Sequence, residues 1–167
     1  VLLNKSQLVG THHSYHVAPT SAQINFLEMF SREAATAWDY TSKSLDKELD
    51  NDLRHLELDV YADRDSGLFS NSSDPIDSPL RKPGMKVLHV PKLDAKSIHL
   101  TFKSALDSVK KWSDENTNHL PVMILVELKD RAENPLAPKP VKFDRKQMEA
   151  IEAEILAVLK IGRLITP

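Results

Sequence analysis

Two carboxylates, Glu57 and Asp59, stand two residues apart in Arg54-His55-Leu56-Glu57-Leu58-Asp59-Val60-Tyr61. Read as a strand, this stretch alternates faces: Leu56, Leu58 and Val60 point one way, Glu57 and Asp59 the other. Two ionised carboxylates roughly 7 Å apart repel by about 2 kcal/mol at an effective dielectric of about 20. A bound divalent cation removes that cost. The competing reading of the same pattern is a solvated face of an edge strand. Other residues able to do chemistry are clustered in Thr11-His12-His13-Ser14-Tyr15-His16, at His89, and at Glu127 and Lys129, which share a strand face by the same alternation. The chain has no cysteine, so any metal chemistry uses oxygen and imidazole ligands.

These groups need elements to position them. Patterning predicts a short strand over residues 5–10, then a helix over 42–52 capped by Thr41, with Leu45, Leu49 and Leu53 on one face. A second strand covers 55–61, a long Ser-, Asp- and Pro-rich surface loop covers 67–83, and a third strand over 86–90 carries His89. Ile98, Phe102, Ala105, Leu106, Val109 and Trp112 form an apolar stripe that predicts a helix over 97–115, with Trp112 in the core. Residues 122–129 are almost wholly apolar until Glu127, the pattern of a strand covered on both faces. Asp144 and Gln147 read as a helix start, continued by a buried face of Met148, Ile151, Ile155, Leu156 and Leu159, and residues 161–167 open a further element.

Strand, helix and strand in this order favour a parallel sheet with crossover helices. His12, Glu57, Asp59, His89 and Glu127 then fall at or near the carboxyl ends of predicted strands, where α/β folds place their chemistry, and a parallel arrangement gathers all five at one rim.

The 167 residues suffice for one domain with a sizeable core. With 41% hydrophobic and 28% charged residues and a formal charge of -2, the chain has the composition of a globular protein and no bulk charge to attract nucleic acid. Its longest apolar run, Val122-Met123-Ile124-Leu125-Val126, is far short of the ~20 residues of a transmembrane helix, so contact with lipid is expected to be peripheral.

Gly10-Thr11-His12-His13-Ser14-Tyr15-His16, the segment 45–61, His89, and the stretch 112–121 leading into Val126-Glu127-Leu128-Lys129 occur in an order and spacing that resemble the catalytic region of calcium-dependent phosphoinositide-specific phospholipase C, particularly its microbial branch. The resemblance implies an α/β fold, a partial TIM-type (β/α)8 barrel, with residues 1–167 forming a single domain equivalent to roughly its first half. A complete barrel usually needs about 250 residues. Half of one leaves two unpaired sheet edges, so the remainder is expected to have been cut away, to be disordered, or to come from another chain or copy.

By the same resemblance Glu57, Asp59 and Glu127 are calcium ligands, joined by His13, where most relatives have asparagine. Calcium takes oxygen ligands at about 2.3–2.6 Å, whereas an imidazole nitrogen suits zinc, manganese or iron. Either calcium binds more weakly, or another divalent metal is preferred, or His13 turns away and water replaces it. His12 is expected to hydrogen-bond the phosphoryl oxygen and His89 to protonate the departing glycerol oxygen, while Glu57 or Glu127 accepts the proton of the inositol 2-hydroxyl. Lys129 holds a carboxylate or meets a phosphate oxygen, and His16 belongs on the substrate side or supports the others. The implied partner is a phosphoinositide lipid at a membrane surface, and the implied location is outside the cell or in its envelope. His55 shares the Glu57 side, His99 and His119 read as surface residues, and Asp52 stands at a turn where relatives often have glycine.

Two other functions compete. Glycerophosphodiester phosphodiesterases also place a histidine before Glu-x-Asp, but resemble His-Arg-Gly where this chain has His12-His13-Ser14. A catalytically degenerate domain that binds a headgroup or a partner without turnover is the non-enzymatic reading.

Overall fold

The computed structural model describes residues 5–132 and 134–165. Its centre is the alternating stretch read above, which forms β1 (His55–Tyr61). Leu56, Leu58 and Val60 are fully buried, so one face of β1 seals a core against the helices and leaves the Glu57 and Asp59 face for the site. Strand β3 (Met123–Leu128) pairs with β1 in parallel, with Glu57 opposite Leu125 and Asp59 opposite Glu127. Strand β2 (Lys86–Val87) lies on the other side of β1, giving the order β2-β1-β3.

Part of the expected topology needs correction. Strand β2 is only two residues long and runs antiparallel, with Val60 opposite Val87. The connection from β1 to β2 contains a short 3-10 turn, Pro79–Arg81, and no α-helix among its described residues, so it lacks the helical crossover that parallel pairing ordinarily uses. The parallel pair β1 and β3 does have a helix in its connection, α4 (Phe102–Glu115), which follows β2. His89 therefore sits beyond the strand, in a turn. The three strands with helices are a piece of α/β architecture rather than a closed barrel.

Strand β3 is also not covered on both faces: Ile124, Val126 and Leu128 pack on the core, while Met123 and Leu125 are 49% and 48% exposed. These two share a face with Glu127, the face on which the site opens. Residues 5–10 form no strand. Gly10 makes an isolated parallel bridge to His55, so close that a Cβ at Gly10 would lie 2.3 Å from the His55 carbonyl oxygen. Glycine is required there by contact, and the contact delivers the following His12 and His13 to β1.

Two helices escaped the sequence reading. Helix α1 (Ser21–Glu28) begins with a reciprocal Thr20 and Gln23 cap, and α2 (Arg32–Trp38) with Ser31 accepting from the Ala34 amide. Helix α3 (Leu45–Asp50) is shorter than expected and starts after Ser44. Thr41 instead accepts a hydrogen bond from the Ala18 amide, tying the two loops together. The helix stops because Asp52 adopts φ 62, the left-handed region that glycine occupies at least cost. Asp52→Gly is expected to stabilise the protein by about 0.5–1 kcal/mol, read as a higher urea midpoint at unchanged slope; an unchanged or lower midpoint contradicts this.

Helix α4 buries Phe102, Ala105, Leu106, Val109 and Trp112, and the Trp112 indole donates to Asp50 at 2.8 Å. Helix α5 (Arg145–Leu159) is capped by Asp144, which accepts from the Gln147 amide. Its buried face is partly rotated from the expected one: Ile151, Ile155 and Leu159 lie on the core as expected, but Gln147, Glu154 and Val158 face inward too, whereas Met148 and Leu156 are exposed. The rotation brings Glu154 onto the Met85 amide at 2.9 Å, satisfying a buried donor beside β2. Residues 161–163 form a single 3-10 turn, and residues 166–167 of the further element expected here lie outside the described residues.

Candidate active site and metal centre

The loop 11–16 is fastened to β1 by its small hydroxyls. The Ser14 amide donates to the Glu57 carbonyl oxygen at 3.0 Å and the Glu57 amide donates to Ser14 Oγ at 2.9 Å, a reciprocal pair that mimics strand pairing. Thr11 donates to the buried carboxylate of Glu48 at 2.6 Å. Burial holds Glu48 above the ordinary carboxylate range, against the lowering effect of Thr11 and Ser14. These are structural roles for residues inside the first motif.

With the loop so pinned, the His13 amide donates to Glu57 Oε2 at 3.1 Å, and His12 Nε2 lies 3.4 Å from the same oxygen. His13 itself has φ 49, a conformation that histidine tolerates better than most side chains. Its ring is buried, stacks on His12 with centroids 3.6 Å apart, and places Nε2 3.7 Å from Asp59 Oδ2. It has not turned away from the site. Burial, then the neighbouring His89, His12, His16 and Lys129, depress its pKa to about 3, so the ring is neutral over the working range.

Asp59 is fully buried and neither of its carboxylate oxygens accepts a hydrogen bond. Lys129 Nζ lies 3.3 Å from Asp59 Oδ2 and 3.3 Å from Glu127 Oε1, an ion-pair bridge between the two strands. Burial raises the Asp59 pKa to about 6; Lys129 and His89 oppose the rise and Glu127 adds to it. Burial and then the Asp59 charge also hold the buried Tyr15 phenol far above its ordinary range.

The sign of the consequence is clear. A carboxyl that binds its proton more tightly when folded favours folding below about pH 3.8 and loses that advantage as pH rises through about 6. A displacement of that size is worth about 3 kcal/mol. In chelator, Asp59→Asn is expected to melt several degrees above the unsubstituted protein at pH 7.5 and to differ little from it at pH 3.5. A lower melting temperature at pH 7.5 contradicts this.

One ligand atom each from Glu57, Asp59 and Glu127 can be chosen so that all lie within 4.8 Å of one another, and the same holds for His12, His13 and Glu57, and for His13, Asp59 and His89. The three carboxylates, with Asp59 Oδ1 among them buried and accepting no hydrogen bond, fit a hard dication that takes oxygen ligands. The structure thus brings seven of the eight expected residues, His12, His13, Glu57, Asp59, His89, Glu127 and Lys129, into one connected cluster. Glu57 and Asp59 enter it from the middle of β1 rather than from its carboxyl end.

The eighth, His16, needs correction. It is fully buried, with Nδ1 3.0 Å from the Tyr40 carbonyl oxygen and Nε2 2.7 Å from Asp94 Oδ2, so it has no nitrogen left for a substrate. Asp94 was absent from the sequence reading, yet its Oδ2 also lies 2.7 Å from His89 Nδ1. A tight turn, with backbone hydrogen bonds in both directions between Val90 and Asp94, holds it there. Burial works against its charge, but hydrogen bonds from His16 and His89 prevail and hold Asp94 below the ordinary range. A carboxylate accepts, so His89 carries hydrogen on Nδ1 and keeps Nε2 for other work. The only available signal was an aspartate five residues after a histidine across a Pro-Lys pair, too common a pattern to single out. Trp38, at the end of α2, packs edge-on to His89 at 5.1 Å.

His99 and His119, expected at the surface, are both half-buried. His99 is held below its ordinary pKa by burial, and His119 closes the end of α4 with Nε2 2.7 Å from Ser113 Oγ.

Residues 1–167 match the model of the family described as "Phosphoinositide phospholipase C, Ca2+-dependent". The chain belongs to that family. Among solved structures, it is similar to the calcium-dependent phosphoinositol-specific phospholipase C of a Gram-negative bacterium, Pseudomonas sp: at 17% identity and a TM-score of 0.53 to its myoinositol complex, and at 17% and 0.51 to a crystal form of its apo state. Each match covers 96% of this chain and 42% of that one, so the chain spans less than half the length of the phospholipase C it resembles. At this identity the likeness is one of fold. No curated protein matches the chain.

Proposed function

We propose that this chain carries the cation-binding and histidine part of a phospholipase C site, which cleaves the phosphodiester of phosphatidylinositol to diacylglycerol and a cyclic inositol phosphate. The observation that carries the reading is the convergence of Glu57, Asp59 and Glu127 beside His12 and His89, within a chain of this family. Glu57, Asp59 and Glu127 would hold calcium, which when bound offsets the charge on the phosphate and makes the inositol 2-hydroxyl more acidic.

The chain's own groups divide the remaining work. His12, exposed beside Glu57, donates a hydrogen bond to a non-bridging phosphoryl oxygen. Glu57 accepts the proton of the 2-hydroxyl, whose oxygen forms the new bond to phosphorus. The bond from phosphorus to the glycerol oxygen breaks, and His89 gives that oxygen a proton from Nε2. Asp94 stabilises the imidazolium before transfer and keeps hydrogen on Nδ1 throughout. Lys129 holds Asp59 and Glu127 in register across the strands.

A lipid substrate requires an approach to a bilayer. Phe26 on α1, and Met29 and Phe30 between α1 and α2, are exposed, the last two by 78% and 74%, and α2 ends at Trp38 against His89. This apolar corner connects to the site through one short helix and suits shallow insertion among lipid headgroups. The double substitution of Met29 and Phe30 by Ser is expected to lower turnover of vesicular phosphatidylinositol about 10-fold or more and leave a soluble short-chain analogue nearly unaffected. Equal loss on both substrates contradicts the insertion.

Phosphorus NMR of the protein with phosphatidylinositol vesicles and calcium tests the reaction itself. The expected product is a cyclic inositol phosphate formed only with calcium present. Release of a phosphatidate, or turnover of glycerophosphocholine in its place, overturns the reading.

A further inference from the structure

We propose that His13, Asp59 and His89 form a second cation site, selective for a transition dication of the zinc class, whose occupation arrests the phosphodiester chemistry. The arrest rests on the function proposed above; the binding does not. Two imidazoles and one carboxylate offer ligand atoms within 4.8 Å of one another. Both rings are oriented from outside: His89 Nδ1 is committed to Asp94 at 2.7 Å, and His13 Nδ1 lies 3.3 Å from the Tyr40 hydroxyl. Nε2 is therefore the nitrogen each ring has left for a cation, and that of His13 lies 3.7 Å from Asp59 Oδ2. Asp59 is fully buried among them: its Oδ1 accepts no hydrogen bond, and its Oδ2 is paired with the Lys129 ammonium at 3.3 Å, which a bound cation would have to displace.

A set of two nitrogens and one oxygen matches zinc, cobalt or iron, whereas Glu57, Asp59 and Glu127 match calcium. Asp59 belongs to both sets. A zinc ion at the imidazole site thus draws Asp59 away from the oxygen set and occupies the Nε2 lone pair of His89, the atom that must carry the proton to the leaving group.

The test begins with chelator-stripped protein titrated with Co2+, followed by its visible absorption, with Zn2+ and Ca2+ measured by calorimetry. One equivalent of Co2+ is expected to give the intense bands of a four- or five-coordinate ion, and Zn2+ to bind about 100-fold more tightly than Ca2+. His13→Asn, whose amide tolerates φ 49, and His89→Gln should each weaken Zn2+ at least about 10-fold, with folding verified by circular dichroism. Calcium affinity of His89→Gln should stay unchanged. Pale octahedral Co2+ bands indifferent to both substitutions, or Ca2+ displacing Zn2+ at equal concentration, overturn the site. Zinc that accelerates hydrolysis overturns the arrest. Zinc bound as described in a protein that never cleaves phosphatidylinositol with calcium leaves the site standing and removes the phospholipase reading.

Discussion

Glu57→Gln is expected to lower phosphatidylinositol cleavage about 10³-fold or more while leaving the fold intact. Glu57 borders His12, receives the His13 amide and belongs to the carboxylate trio, so in the proposed function one charge would serve proton transfer and cation binding together. Loss of a general base alone costs about 10²–10⁴-fold. Glutamine retains the volume and an amide oxygen for the His13 N–H, and it removes one of three clustered negative charges, so folding should not suffer. Initial rates of diacylglycerol release, beside thermal melts, decide the matter. A variant that keeps more than a tenth of the rate contradicts the assignment.

Asp94→Asn carries the second large effect. Asp94 offers one buried oxygen to both His16 and His89, and among the described residues it is the acceptor that orients His89 through Nδ1. An amide can present its NH2 where an acceptor is needed, favouring the wrong tautomer and leaving the imidazolium without its counter-charge. The expected loss is about 10²–10⁴-fold in kcat with KM changed little, because Asp94 lies behind the histidine and touches no substrate. Asp94→Glu, which restores the charge at a displaced position, should recover part of the rate. A loss confined to KM, or no loss, contradicts a role in positioning His89.

The contrast between these two residues reflects what a sequence can reveal. Glu57 and Asp59 were legible because strand alternation separates them from Leu56, Leu58 and Val60, and burying those three residues fixes which way the carboxylates point. The stripe on α4 and the Asp144 cap of α5 were legible for the same local reason. Asp94 was not, because its role arises from a turn that folds it back onto two histidines distant in sequence. The α1 and α2 helices carried legible caps at Thr20 and Ser31, but each is short and buries a single apolar residue, Leu27 and Ala35, so neither shows an apolar stripe. The antiparallel course of β2 depends on the connection that reaches it. The rotation of α5 depends on Glu154 satisfying a buried amide, a tertiary demand that outweighs apolar periodicity.

Everything functional depends on Glu57, Asp59 and Glu127 enclosing one cation next to His12 and His89. A crystal of the protein grown with calcium, with anomalous differences collected to locate the ion, measures this directly. The account predicts a single strong peak with carboxylate oxygens of all three residues at about 2.3–2.6 Å. Full calcium occupancy elsewhere on the protein, with the three carboxylates left without an ion, would contradict it.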